Sequence, residues 1–191
     1  MKNVINFGLV ALMVFVIGAC GGKEDGIKSV KIGDQVSMAK NLNDASKGGK
    51  CYEYKSENCK KYGRLYTWEE AIKACPSGWH LPSHEEWQTL VDLAGGMDAA
   101  GGKLKAKKGW NDYKGKSGNG TDDFGFSALP GGGGKPDGSF DIVGGVGYWW
   151  SATEYNTDLA HGWSMGCDNS KVYKFFYIDK SYLLSVRCVK D

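Results

Sequence analysis

The stretch "CPSGWHLPSHEEW", Cys75 to Trp87, holds a thiol, two imidazoles and two adjacent carboxylates in thirteen residues. Such density invites a metal or catalytic centre. A zinc-protease helix needs histidines at i and i+4 with a glutamate at i+1, so that both rings face one ion. His84-Glu85 begins that pattern, but Gln88 stands where the second ligand should be. His80 and His84 have the right separation, yet Pro82 lies between them. A proline there separates the residues before it from the helix after it, so the two rings do not share a helical face. Cys75 is the one further ligand within reach. The stretch therefore reads as a corner between two helices, with no metal expected.

Other chemistry is equally incomplete. A nucleophile needs a base and an orienting group beside it. The chain has three histidines, His80, His84 and His161, and no G-x-S-x-G elbow. Cys167 in "WSMGCDN" is the one suspicious nucleophile, next to Asp168 and near His161 in sequence; an inert or intermolecularly paired thiol is the plainer expectation. "PGGGGKP" lacks the Ser or Thr that follows the lysine of a phosphate loop, because Pro136 stands there. Asp122 and Asp123, with Asn119, Asp112, Asp137 and Asp141, supply loop oxygens of the kind calcium takes. Turn-forming and capping roles suit the same residues. No cofactor is expected, calcium being the one candidate. Tyr148, Trp149, Trp150, Tyr155 and Trp163 concentrate late in the chain. On a strand Trp149 and Trp150 point to opposite faces. One is expected in the core and the other free to stack on a ligand, making Trp149, Trp150, Tyr155 and Trp163 the ligand-binding candidates.

The elements that must position these groups are legible. "TWEEAIKAC" and "SHEEWQTLVDLAGG" both open on a hydroxyl residue, Thr67 or Ser83, with a glutamate three residues on, Glu70 or Glu86. Both are capping boxes. The first helix should stop at Cys75 before Pro76, the second at Gly95 and Gly96. Their buried stripes should be Trp68, Ala71, Ile72 and Cys75, then Trp87, Leu90, Val91 and Ala94. "SVKIGDQVSMAKNL" reads as an opening strand, and the polar stretch carrying Cys51 and Cys59 as a loop with a local disulfide. Residues 97–147, rich in glycine, should be mostly irregular. "GYWWSAT", "HGWSMG", "KVYKFFYI" and "LLSVRCV" read as an antiparallel sheet. The fold class is α+β: two helices beside an antiparallel sheet, with long loops.

With 191 residues, 41% hydrophobic content and 29 glycines against 4 prolines, the chain suits one loop-rich domain. A net charge of +2 with mixed signs makes nucleic acid a poor partner. The N-terminus pairs a lysine with a short apolar run, then Ile17-Gly18-Ala19-Cys20, which resembles a bacterial lipobox. The resemblance implies a signal peptide over 1–19 and lipidation of Cys20. A tether over 20–28 and a domain over 29–191 would follow, the membrane being a partner through the lipid. "KED" after Cys20 resembles a Bacteroidetes-type surface-export signal, implying outward display at the outer membrane. Export permits disulfides, and the five cysteines beyond Cys20 leave an odd thiol.

"GKCYEY", "CKKYGRLYTWEEAIKACPSGWHLPSHEEWQTL", "GWNDY", "NGTDDFGFSALPGG", "DGSF", "GYWWSAT" and "SVRCVKD" resemble the Fibrobacter succinogenes major paralogous domain, from about Val30 to Asp191. Ser37 departs from that pattern, where tryptophan is expected, which should loosen the first strand's packing. The family is similar to C-type lectin-like folds and, more distantly, to formylglycine-generating sulfatase modifiers. The lectin-like resemblance implies a Cys75–Cys188 bridge, making the opening corner a staple. Neither the sugar-binding residues of lectins nor the cysteine pair of the sulfatase modifiers is matched here. The expectation is a noncatalytic binding domain for glycan or a surface protein. The alternatives are an enzyme of the sulfatase-modifier branch using Cys167, or a structural envelope lipoprotein without a ligand.

Overall fold

The computed structural model describes residues 26–191. The signal segment, Cys20 and the tether through residue 25 lie outside them. Eleven strands and four α-helices follow in an α+β order, most of the strands antiparallel. β1 (Ser29–Ile32) and β2 (Gln35–Met38) form a hairpin where one strand is expected from the sequence. A two-residue Gly33-Asp34 turn, with Gly33 at φ +62°, reverses the chain and pairs Ile32 with Gln35, so that Ile32 and Met38 enter different cores. The polar stretch after it is more ordered than a loop. α1 (Ser56–Tyr62) is held there by the Cys51–Cys59 disulfide and by burial of Cys59 and Tyr62.

α2 (Trp68–Ala74) and α3 (His84–Leu93) start at the expected capping boxes. Thr67 accepts from the Glu70 N–H and Ser83 from the Glu86 N–H, and each glutamate answers the cap. α2 ends before Cys75, and α3 is followed by Gly95 and Gly96 in the left-handed region. The stripe of α3 is buried as expected. In α2, Ile72 is exposed, because this seven-residue helix buries the Trp68, Ala71, Ala74 line instead. α4 (Ala100–Leu104), β5 (Gly133–Gly134) and β6 (Phe140–Asp141) interrupt the glycine-rich region. The glycine run at 131–134 serves close packing. Gly132 has φ +66°, and a Cβ there would lie 2.5 Å from the Asp141 carbonyl.

β3 (Leu65–Tyr66), β10 (Leu184–Ser185), β7 (Val146–Glu154), β8 (Leu159–Gly166) and β9 (Val172–Asp179) form the main sheet in that order. Its one departure from antiparallel pairing is β10 beside β7, which run parallel. β1, β2, β11 (Val189–Lys190) and β4 (Trp79–His80) form a second sheet. The main sheet has a core on each face. Trp149 packs with Trp87 and Leu90 of α3, and Trp150 with Trp68 and Ala71 of α2. The two helices thus flank β7 on opposite faces rather than sharing one side. Their indoles also serve the strand: Trp87 Nε1 donates to the Trp150 carbonyl (3.2 Å) and Trp68 Nε1 to that of Ser151 (2.9 Å). The β7–β8 register breaks between Trp150 and Glu154, so the helices supply donors where the ladder is irregular.

Ser37 is buried, beside Pro82, Trp87, Leu90 and Arg187. Among the described residues no helix is long and apolar enough to cross a membrane.

Candidate functional site: an aromatic cavity beside β9

The opening stretch is a structural corner. Cys75, at the end of α2, bonds Cys188 across a separation of 113 residues. β4 then pairs with β11 through His80 and Val189. His80 bridges two carboxylates: Nε2 lies 2.9 Å from Glu86 Oε1 and Nδ1 2.7 Å from Asp191 Oδ1. Glu86 Oε2 meanwhile accepts from the Ser83 N–H, so one carboxylate caps α3 and holds His80.

Partial burial pulls the His80 pKa down, but its hydrogen bonds to Asp191 and Glu86, with their charges, outweigh that and raise it. Protonated His80 is therefore favoured in the folded state. Its contribution is full below the unfolded value of about 6.5 and fades as pH rises through the raised folded value. The melting-temperature gap between wild type and His80→Gln should shrink from pH 5.5 to pH 8.5; a gap independent of pH would remove the bridge from the account. His80 is 41% exposed, so the gap should be modest even at its widest.

His84 is not beside His80. It meets His161 edge-on, with ring centroids 5.0 Å apart, and packs at a tilt against Trp163 and Phe176. Burial depresses the pKa of His84, with further contributions from His161 and Lys174, and burial depresses that of His161. The Nδ1 atoms of both, and Trp163 Nε1, are buried without a protein hydrogen-bond partner. Cys167 is a free, half-buried thiol. β8 separates it from His161, since six residues of extended chain span about 20 Å. The sequence neighbours thus do not form a nucleophile–base pair.

Among the described residues no group of three or more His, Cys, Asp or Glu side chains is placed to hold a metal ion. Asp122 binds the Ser127 N–H (2.7 Å) and hydroxyl (2.6 Å), Asp137 caps Ser139, and Asp141 pairs with Lys135. Asn119 Oδ1 accepts from the Trp110 N–H. Asp123 contributes its backbone N–H to the Lys103 carbonyl.

The aromatic candidates divide sharply. Trp149, Trp150 and Trp163 are all 0% exposed, which corrects the expectation that one of the first two faces outward. Their alternation is as read; what differs is that both faces of the sheet are covered. Tyr155 is 49% exposed and meets Tyr177 edge-on, with centroids 4.5 Å apart. Tyr177 leads to a cavity of about 470 Å³ between β9 and the β5–β6 hairpin. Tyr148, Phe175, Tyr177 and Tyr182 give it aromatic walls, with Lys135, Asp141 and Asp179 as its charged groups. Tyr148 and Phe175 rings lie 6.3 Å apart. Burial raises the Tyr148 pKa, and Asp141 adds to that, so its hydroxyl stays protonated as a donor. Lys135 Nζ sits 2.8 Å from Asp141 Oδ2. The Ser181 hydroxyl and N–H hold the Asp179 pKa below the usual carboxylate range.

Most of these residues are not among the sequence candidates. A signal did exist: Tyr173, Phe175 and Tyr177 alternate along β9. That β9 is an edge strand, with aromatics left exposed, depends on sheet order and could not be read locally.

The architecture is an α+β domain with mostly antiparallel sheets, and the site is a side-chain cavity on its edge. The chain belongs to the Fibrobacter succinogenes major domain family, whose model matches residues 30–190. No curated protein and no solved structure matches it.

Proposed function

We propose that this chain is a lipid-anchored envelope protein displaying a noncatalytic, C-type lectin-like binding domain, with a glycan as its ligand in the cavity beside β9. The observation that carries the reading is the cavity itself. Exposed Phe175 and Tyr177 offer faces for a sugar ring, while Asp141, Asp179 and Lys135 offer acceptors and a donor for its hydroxyls. The lipobox-like Ile17–Cys20 and the "KED" after it support anchorage at the outer membrane with outward display. The Cys51–Cys59 and Cys75–Cys188 bridges suit an exported domain. A surface protein is the second ligand class, engaging the same aromatics.

The test is a glycan array and a pull-down with the full-length chain, then Tyr177→Ala. Tyr177 is 65% exposed, so its loss should leave the fold intact. Removing an aromatic anchor typically costs about 1–2 kcal/mol, or roughly five- to thirtyfold in Kd. Unchanged binding by Tyr177→Ala would place the ligand elsewhere, and absence of any binder would favour a structural role.

A further inference from the structure

The segment "KAKKGWNDYKGK" carries five lysines and one aspartate between Lys105 and Lys116, and nothing in the aromatic cavity uses them. Its end folds into a tight turn. Tyr113 and Lys116 exchange backbone hydrogen bonds of 2.8 and 3.0 Å, with Lys114 at φ +48° and Gly115 at φ +75°. The chain then passes close over the end of β8. A Cβ on Gly118 would lie 2.2 Å from the Asn111 carbonyl and 2.7 Å from Cys167 Cβ, so only glycine fits. Between this turn and residues 167–170 lies a second cavity, of about 430 Å³.

Three lysines line this cavity, Lys105, Lys114 and Lys116, against one acidic residue, Asp168; Lys114 Nζ lies over the Tyr113 ring. Lys105 is only 3% exposed; Nζ donates to the carbonyls of Gly166 and Asn169 and lies over the Trp110 ring. It makes no ion pair with a described carboxylate, and neither do Lys114 and Lys116. Burial lowers the Lys105 pKa, with Cys167 and Asp168 acting the other way. A buried cation whose contacts are two carbonyls and a ring, with no carboxylate in direct contact, is one that an anion would stabilise further. Ser117, Asn119 and Ser170 add neutral hydrogen-bonding groups to the walls.

We propose that this cavity is a second binding site, for an oxyanion carried on a hydroxyl-rich body: an acidic sugar bearing a carboxylate or a sulfate ester. It shares no wall residue with the aromatic cavity, so it stands or falls independently of the function proposed above. Lys114 and Lys116 draw in the charge, Lys105 fixes the field at the floor, and the amide and hydroxyl groups meet the ring substituents.

Cys167 lines the same cavity and is the one free thiol among the described residues, so it reports occupancy. The experiment measures alkylation of Cys167 in the full-length chain by uncharged iodoacetamide, read on its own peptide by mass spectrometry. Galacturonate, glucose 6-sulfate and unmodified glucose are the probes. At ten times Kd, mass action should slow alkylation roughly tenfold. The expected result is protection by at least one acidic probe and none by glucose, weakening with added salt. Which acidic probe protects distinguishes carboxylate from sulfate. Lys114→Glu with Lys116→Glu, both exposed positions, should abolish protection while leaving glycan binding at the aromatic cavity unchanged. Equal protection by glucose, no protection by either acidic probe at tens of millimolar, or full protection in the double variant would overturn the proposal.

Discussion

Asn41→Ala should destabilise this chain by about 3–5 kcal/mol, and more than Arg187→Met does. Arg187 is 1% exposed and has no carboxylate in contact. Its guanidinium is held by the Asn41 side-chain oxygen (2.8 and 3.1 Å) and by the carbonyls of Met38 and Phe126. It also lies over the Phe126 ring, 4.3 Å from the centroid. Burial lowers its pKa to about 9, so it remains charged at neutral pH. The same Asn41 oxygen accepts from Trp149 Nε1 (2.9 Å), while its nitrogen donates to the Tyr62 carbonyl and the Ser185 hydroxyl. One amide thus ties its own segment to Tyr62, to Trp149 and to the Ser185–Arg187 stretch.

Deleting it takes the acceptor from the buried Nε and Nη2 of Arg187 and from the Trp149 indole N–H, each bearing its own desolvation cost, while Nη1 keeps the Met38 and Phe126 carbonyls. Arg187→Met removes the cation itself and refills most of the volume, which costs far less than orphaning it. Arg187→Ala adds a cavity and should approach the Asn41 loss. Urea unfolding midpoints at constant m-value measure all three. Finding Arg187→Met as damaging as Asn41→Ala would mean that the cation, rather than its acceptor, carries the stability.

The second large effect is covalent. Replacing Cys75 and Cys188 together by alanine should cost about 5 kcal/mol, from the chain entropy that a closed loop of this length removes from the unfolded state. The same treatment of Cys51 and Cys59, eight residues apart, should cost about 2.5 kcal/mol. A domain with a typical stability of 5–15 kcal/mol would be brought near its threshold by the first change and not by the second. The first bridge also spans the end of α2 and the approach to β11, so its loss should loosen the β4–β11 pairing and the His80 bridge. Equal costs for the two pairs would contradict the loop-length argument.

Local signals were strong where the backbone decides. The capping boxes at Thr67 and Ser83 depend on residues three apart, so both helix starts were legible. The late strands announced themselves by alternation. The β1–β2 hairpin was hidden because Val30, Ile32, Val36 and Met38 all fall at even positions, as in one continuous strand, although the Gly33-Asp34 turn sends the two pairs to opposite faces and the dipeptide is itself a turn signal. α1 was hidden because its polar composition favours a loop unless the Cys51–Cys59 bridge and burial of Tyr62 are added.

The site was less legible than the fold. Alternation correctly sends Trp149 and Trp150 to opposite faces, but cannot tell whether a face is covered; α2 and α3 cover both. The exposure of β9 follows from its place at the end of the sheet order, a property of the whole topology. Cys167 and His161 look close in sequence and are held at opposite ends of β8 because a strand is extended.

In the function proposed above, ligand is met beside β9 and the corner from Cys75 to Trp87 is scaffold. The most direct measurement is a nitrogen–proton correlation spectrum of the labelled chain, titrated with the best binder from the glycan and pull-down screens. The predicted result is a cluster of shifted resonances at Tyr148, Phe175, Tyr177 and Tyr182, with the Cys75–Trp87 corner unmoved. Shifts centred on His80, His84 and Glu85, with β9 silent, would contradict it.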